Sequence, residues 1–177
     1  MAQGLEALPA LALAARIAED RSCDTLEQAM PKLTLHAFPL TNATGYPPEY
    51  AGPVRDRWYR RLGPASGLSQ FGVSHVTLKP GACSSQRHWH EGGDEFVVIL
   101  SGEAILIDDA GEQAMCVGDC ASFPAGQANG HMLANRGMSD CVVIAVGTPG
   151  ESDCHYPDID MHLAAGQGFR RKDGSAF

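Results

Sequence analysis

From residue 71 to residue 147 the chain is a succession of short β-type runs divided by turn residues. Residues 71–79 predict a strand that ends at Pro80-Gly81, a pair that favours a turn. Residues 85–90 predict a second strand. Residues 95–100 are apolar throughout after Glu95, the mark of a buried strand, and Ser101-Gly102 turns the chain. Residues 103–107 and 112–117 flank Asp108-Asp109-Ala110-Gly111, the pattern of a hairpin. Gly118-Asp119 then leads into residues 120–123, followed by runs at 130–134 and 141–146. About eight short strands at about 8–12-residue spacing predict an all-β sandwich or barrel.

The flanks read differently. Residues 1–29 are rich in Ala and Leu and predict a short helix from about residue 11 to 20. Ala12-Leu13-Ala14 imitates a leader cleavage site, but Glu6 is the only charged side chain before Arg16, and a secretory leader needs a basic start. With no run of ~18 apolar residues to span a bilayer, the expectation is a cytoplasmic protein with a short N-terminal helical extension. In residues 30–70, Pro39, Pro47, Pro48, Pro53 and Pro64 predict irregular backbone. The polar stretch after Gly147 reads as loop with one short strand. Residues 30–177 are thus expected to form one domain around a barrel at about 71–147.

Composition narrows the function. Of 177 residues 44% are apolar and 19% charged, which excludes wholesale disorder. Thirteen basic residues against twenty-one acidic ones leave a net charge of −8, so no nucleic acid or membrane partner is expected. The six cysteines are scattered, and only Cys116 and Cys120 lie close together, so reduced thiols are expected rather than bridges or a zinc knuckle.

The sharpest chemistry is His88-Trp89-His90. Alternate residues of a strand share a face, so both imidazoles project together, with Gln86 on the same side and Arg87 and Trp89 on the other. Two imidazoles side by side can donate lone pairs to one metal ion. Glu95 opens the next strand after Gly92-Gly93, and His131 lies on a later strand with Asn135 at the same parity. His36, His75, His155 and His162 read as ordinary core or surface residues. Arg57, Arg60 and Arg61 form a group able to hold a phosphate or carboxylate, although a solvated or subunit-facing strand edge is the plainer reading. His155, Tyr156, Asp158 and Asp160 can close over the barrel mouth, although a surface tail is the plainer reading there too.

These residues resemble the cupin superfamily. Gly81, His88, His90, Glu95 and Gly102 match its first motif, and Gly118, Pro124, Gly126, His131 and Asn135 match its second. One departure is the four-residue gap between Gly126 and His131, where the family pattern has two. The chain is also similar to a branch of single-domain bacterial cupins in residues 84–90, in Asp94-Glu95-Phe96, in Tyr156-Pro157-Asp158 and in residues 171–174. Some members of that branch bear sugar-phosphate isomerase names. The resemblance implies a double-stranded β-helix, or jelly roll, with His88, His90, Glu95 and His131 as ligands of one divalent transition metal: Zn, Mn, Fe, Ni or Cu. Gln86 is a candidate for touching substrate. The expected function is a metal-dependent enzyme, an isomerase or alternatively a dioxygenase, acting on a small polar molecule. A non-enzymatic ligand sensor is the other class. A homodimer is expected, because a small jelly roll exposes sheet edges.

Overall fold

The computed structural model describes residues 32–148 and 152–177, so the helix expected at about 11–20 lies outside the described residues. Among them are twelve strands and four single 3₁₀ turns. β1 is Arg57–Arg61, β2 Gly72–Leu78, β3 Trp89–His90, β4 Glu95–Ser101, β5 Ala104–Asp108 and β6 Gly111–Met115. β7 is Cys120–Phe123, β8 Met132–Ala134, β9 Cys141–Gly147, β10 Cys154–Tyr156, β11 Met161–Ala164 and β12 Gly168–Arg170.

A five-stranded sheet runs β1-β2-β9-β4-β7, a four-stranded sheet β12-β11-β10-β3, and a three-stranded sheet β6-β5-β8. Every pairing is antiparallel. Isolated bridges Cys83↔Ala134 and His88↔His131 join the two smaller sheets along residues 83–88. The large sheet contributes Leu78, Ile99, Cys141 and Val143 to one core, and the opposite side contributes Ala104, Leu106, Met115 and Leu133. Two sheets that share one apolar interior form the expected jelly roll.

Local rules place the strands. In β4 Val97 and Ile99 turn inward with Glu95, while Phe96 and Leu100 are exposed, the period-two pattern of a strand with one buried face. The turn after β4 needs Gly102. Its φ is +73°, and a Cβ there would lie 2.4 Å from the Asp140 carbonyl oxygen. Asn135 is buried, donates from Nδ2 to the carbonyls of Leu78 and Ser139 at 2.8 Å, and accepts from the Gly137 N–H at 2.9 Å. It braces a turn.

All eight strands expected between residues 71 and 147 are present as β2–β9, but the second is shorter than expected. Only Trp89 and His90 are strand in the stretch 85–90. Upstream, the Ser84 hydroxyl accepts from the Leu133 N–H at 2.9 Å, so a side chain stands in for part of the ladder.

The flanks correct the expectation more strongly. β1 lies inside the Pro-rich segment, and the polar tail holds β10, β11 and β12 rather than one strand. Prolines bracket β1 without entering it, and three- or four-residue strands are too short to show a period. The tail strands build a second core of Cys154, Tyr156 and Met161, packed with Tyr46, Tyr50 and Phe169. Among the described residues the cysteines are unpaired, and no helix is long and apolar enough to cross a membrane.

Candidate metal centre

Glu95 stands on the inner face at the start of β4, and three imidazoles converge on it. Its Oε2 lies 3.0 Å from Nε2 of His131 and 3.5 Å from Nε2 of both His88 and His90. His88 and His131 face each other through their backbone bridge, which brings their rings to 4.9 Å. His90 follows two residues on, with its ring 4.9 Å from that of His88. The structure therefore brings together all four residues singled out as ligands.

The ring orientations are fixed from behind. His88 Nδ1–H donates to the Gln86 carbonyl at 2.9 Å, and His131 Nδ1 faces the Asn129 carbonyl at 3.4 Å. Held this way, each ring turns its Nε2 toward Glu95, the atom it would offer to a bound ion. Phe123 stacks flat on His131 with centroids 3.6 Å apart, and Tyr156 stacks on His88 at 5.8 Å.

Electrostatics follow from this crowding. Burial opposes the charge on Glu95, but hydrogen bonds from His131, His88 and His90 outweigh it and hold the carboxyl well below the usual range. A hydrogen bond to Cys154, and then one to Glu95, pushes His90 up to about 10 against the effect of burial. Burial raises the Tyr46 and Tyr156 hydroxyls, which stay neutral donors.

The donors of His88, Glu95 and His131 fit a divalent cation, with His90 on the outer side of Glu95. Donors each about 2.1 Å from one ion, at angles between octahedral and tetrahedral, stand about 3.0–3.4 Å apart. The His131–Glu95 separation falls in that interval, and the 3.5 Å separations lie at its edge. The donor atoms of His88, Glu95 and His131 lie within 4.8 Å of one another, as do those of His88, His90 and Cys154.

Cys154 is a residue that sequence reasoning missed. It is buried on β10 directly opposite His90. Nothing local marks it, because the contact joins residues more than sixty positions apart. Gln86 is placed otherwise than its parity implied: its Nε2 donates to the Tyr50 carbonyl at 2.7 Å and ties down the Pro-rich segment. The tail residues also differ from a surface tail. Tyr156 is buried, and Asp158 makes a two-pronged pair with Arg87, at 2.8 and 2.6 Å. His155 and His162 do stay ordinary, each paired with a carboxylate at 2.9 Å.

The cluster opens into a cavity of about 580 Å³. Val76, Val97, Phe123 and Val143 line it beside the polar cluster. A mostly apolar recess with a few convergent polar groups is the usual form of a small-molecule site.

Comparison with known proteins agrees with this picture. Residues 74–147 match the family model described as a cupin domain. A sugar phosphate isomerase of the cupin superfamily from Silicibacter pomeroyi is 43% identical, with a TM-score of 0.78 over 83% of this chain and 96% of that one. A protein from Acidithiobacillus ferrooxidans, provisionally named a sugar phosphate isomerase, is 27% identical, with a TM-score of 0.60 over 64% of this chain and 74% of that one. A polyketide cyclase from Streptomyces resistomycificus shares the fold alone, at 17% identity and a TM-score of 0.56 over 67% and 79%. No protein of curated function matches the sequence.

Proposed function

The chain belongs to the cupin superfamily, and from that premise we propose that it is a metal-dependent enzyme that isomerises a sugar phosphate. The observation that carries this reading is the convergence of three imidazole nitrogens on Glu95 Oε2 at the wall of a cavity of small-molecule size. The name of the Silicibacter pomeroyi relative supports the substrate class.

His88, His90, Glu95 and His131 would hold one divalent ion, be it zinc, manganese, iron, nickel or copper. When bound, that ion supplies Lewis-acid polarisation of a carbonyl oxygen. The chain's own residues position and enclose the site. The Gln86 and Asn129 carbonyls hold the His88 and His131 rings in the tautomer that leaves Nε2 open. Val76, Val97 and Val143 keep water from the walls. The Tyr46 hydroxyl, kept protonated by burial, is a donor on the cavity wall.

The test is metal analysis of tag-free protein, followed by assays for aldose–ketose phosphate interconversion before and after chelation. We expect about one ion per chain and turnover that disappears with the ion. Full metal occupancy in the double variant His88→Ala, His90→Ala would sink the ligand assignment. The reading includes a homodimer, supported by the exposure of Phe71, Phe96 and Leu100. Light scattering is expected to give twice the chain mass at micromolar concentration, and a single-chain mass would overturn the dimer.

A further inference from the structure

The wall of the cavity that β1 supplies is cationic, and the metal cluster does not account for it. β1 has the sequence Arg57-Trp58-Tyr59-Arg60-Arg61, and its alternate side chains separate. Arg57, Tyr59 and Arg61 line the cavity; Trp58 and Arg60 do not. Tyr59 is the spacer between the two guanidiniums. Its hydroxyl donates to the Ala43 carbonyl at 2.9 Å, and its ring lies 5.4 Å from Arg57 Cζ and 5.6 Å from Arg61 Cζ.

Neither guanidinium has a carboxylate partner among the described residues, whereas Lys79, Arg87, Arg136 and Arg171 all have one. Arg57 Nη1 donates to the Ser84 carbonyl at 2.6 Å, but its Nε is buried with no hydrogen-bond partner. A buried N–H without an acceptor is a standing penalty, but this atom is closed to solvent, so the groups open to a ligand are the remaining guanidinium N–H donors. Among the described residues Glu95 is the only carboxylate on the cavity wall, and the histidines already engage it. Two guanidiniums therefore face the cavity against one occupied carboxylate, in a chain whose net charge is −8. That local inversion of sign draws an anion into the recess.

We propose that Arg57 and Arg61, spaced by Tyr59, form an anion subsite in the metal cavity that receives the phosphate group of a phosphate monoester. The guanidinium fork matches phosphate oxygens two at a time, which an ammonium cannot do. In the sheet order β1-β2-β9-β4, three strand spacings separate this row from Glu95. At about 4.8 Å each, that is roughly 14 Å across the sheet; along the strands Arg61 is two residues off the Glu95 row and Arg57 six, so Arg61 is the nearer end of the subsite. An arginine side chain and an open-chain sugar phosphate together cover that span, with the phosphate at β1 and the carbonyl end toward Glu95. The subsite names the charged end of the substrate in the isomerase reading and rests on it for the sugar, but its geometry stands without the metal.

The experiment titrates the full-length protein with inorganic phosphate by calorimetry, with metal content measured on the same samples. We expect one phosphate per chain, and binding at least about tenfold weaker in Arg61→Gln, since a hydrogen bond to a charged group contributes more than a neutral one. Arg61 is exposed, so this variant is expected to keep the wild-type melting temperature and metal content. Arg57→Lys, which keeps the charge but loses the fork, is expected to weaken phosphate similarly. The metal-free variant His131→Ala is expected to retain arginine-dependent phosphate binding. Phosphate affinity unchanged in both arginine variants would overturn the subsite. Phosphate binding that follows the metal and ignores the arginines would overturn it as well. Glycolate bound more tightly than phosphate through the same arginines would replace the phosphate assignment with a carboxylate. A wild-type protein without metal that still shows arginine-dependent phosphate binding would support the subsite while sinking the metallo-isomerase reading.

Discussion

The molecule has two hydrophobic cores of different origin, and the His–Glu cluster lies where they meet. The first is aliphatic: Leu78, Ile99, Leu106, Leu133 and Val143 fill the jelly roll between β2, β4, β5, β8 and β9. The second is largely aromatic: Tyr46 and Tyr50 from the Pro-rich segment pack with Tyr156 and Phe169 from the tail. Tyr46 meets Tyr156 edge-on at 5.8 Å and Phe169 at 5.3 Å. Glu95 and His131 are set by the first core, where Phe123 stacks on His131. His88 is held between the two, bridged to His131 on one side and stacked on Tyr156 on the other. The barrel thus supplies the donors. The flanks supply the backing of His88, the thiol beside His90 and the arginine wall. A shared barrel with variable flanks is one way a single fold can serve unrelated reactions.

Substitutions that strike the two cores separately test this division. The largest effect is expected on the barrel side. His131→Ala or Glu95→Gln should abolish metal retention. Losing a partner that only supports a ligand costs about 10–100-fold in affinity or activity, so loss of the ligand itself should exceed that range. Metal analysis and turnover read the result, and a Glu95→Gln protein with full metal and full turnover would undo the site.

Gly102→Ala should come next. The new Cβ would strike the Asp140 carbonyl, with a backbone that L-residues rarely adopt. Strain of this kind costs about 1–3 kcal/mol before the collision is counted, so a clear fall in melting temperature is expected. An unchanged melting curve would mean that the turn tolerates a side chain and that the barrel is looser than described.

Tyr156→Leu probes the second core. It keeps apolar volume but loses the edge-on contact with Tyr46 and the stack on His88. Aromatic pairs contribute about 0.5–1.5 kcal/mol beyond their burial, so a modest loss of stability is expected. It should be accompanied by metal affinity about tenfold weaker, the lower end of the range for supporting groups. If metal affinity is untouched while stability falls, the aromatic core does not position His88 and the two regions are independent.

Cys154→Ser separates backing from ligation. With His88, His90, Glu95 and His131 as the ligand set, it should leave metal content unchanged. A cobalt-loaded wild-type protein should then lack the sulfur-to-metal charge-transfer band of a thiolate ligand. Such a band, lost in Cys154→Ser, would enlarge the ligand set and move the centre toward the tail sheet. The smallest effect is expected from removing residues 1–29, which contain none of the four ligands. Metal content and melting temperature should stay at wild-type values, and an insoluble truncated chain would show that this stretch belongs to the folding unit.

The barrel was legible because its strands repeat a local rule. Residues 95–100 and 141–146 are apolar enough to announce burial, and the glycine pairs between runs announce turns. The candidate ligands were legible because His88 and His90 share a strand parity and because the spacings to Glu95 and His131 resemble a known pattern. The tail was not legible. β10, β11 and β12 have three or four residues each and mix His, Tyr, Arg and Gly, so neither period nor composition marks them. Gln86 shows the limit of parity within the motif itself. Residues 83–88 pair only at isolated bridges, and its side chain follows the Tyr50 carbonyl instead of the face it was assigned.

The sequence by itself therefore determined the succession of short strands, because side-chain alternation and turn preference act over a few residues and leave a readable trace; the jelly roll and the four candidate donors followed from the resemblance to cupins. Only the tertiary structure decided which distant groups close the site. Cys154 faces His90, Tyr156 backs His88, and Arg57 and Arg61 turn into the cavity. Each of these placements depends on burying one surface against another, and burial is non-directional. It selects for shape and apolar area and leaves no fixed spacing between the segments it brings together.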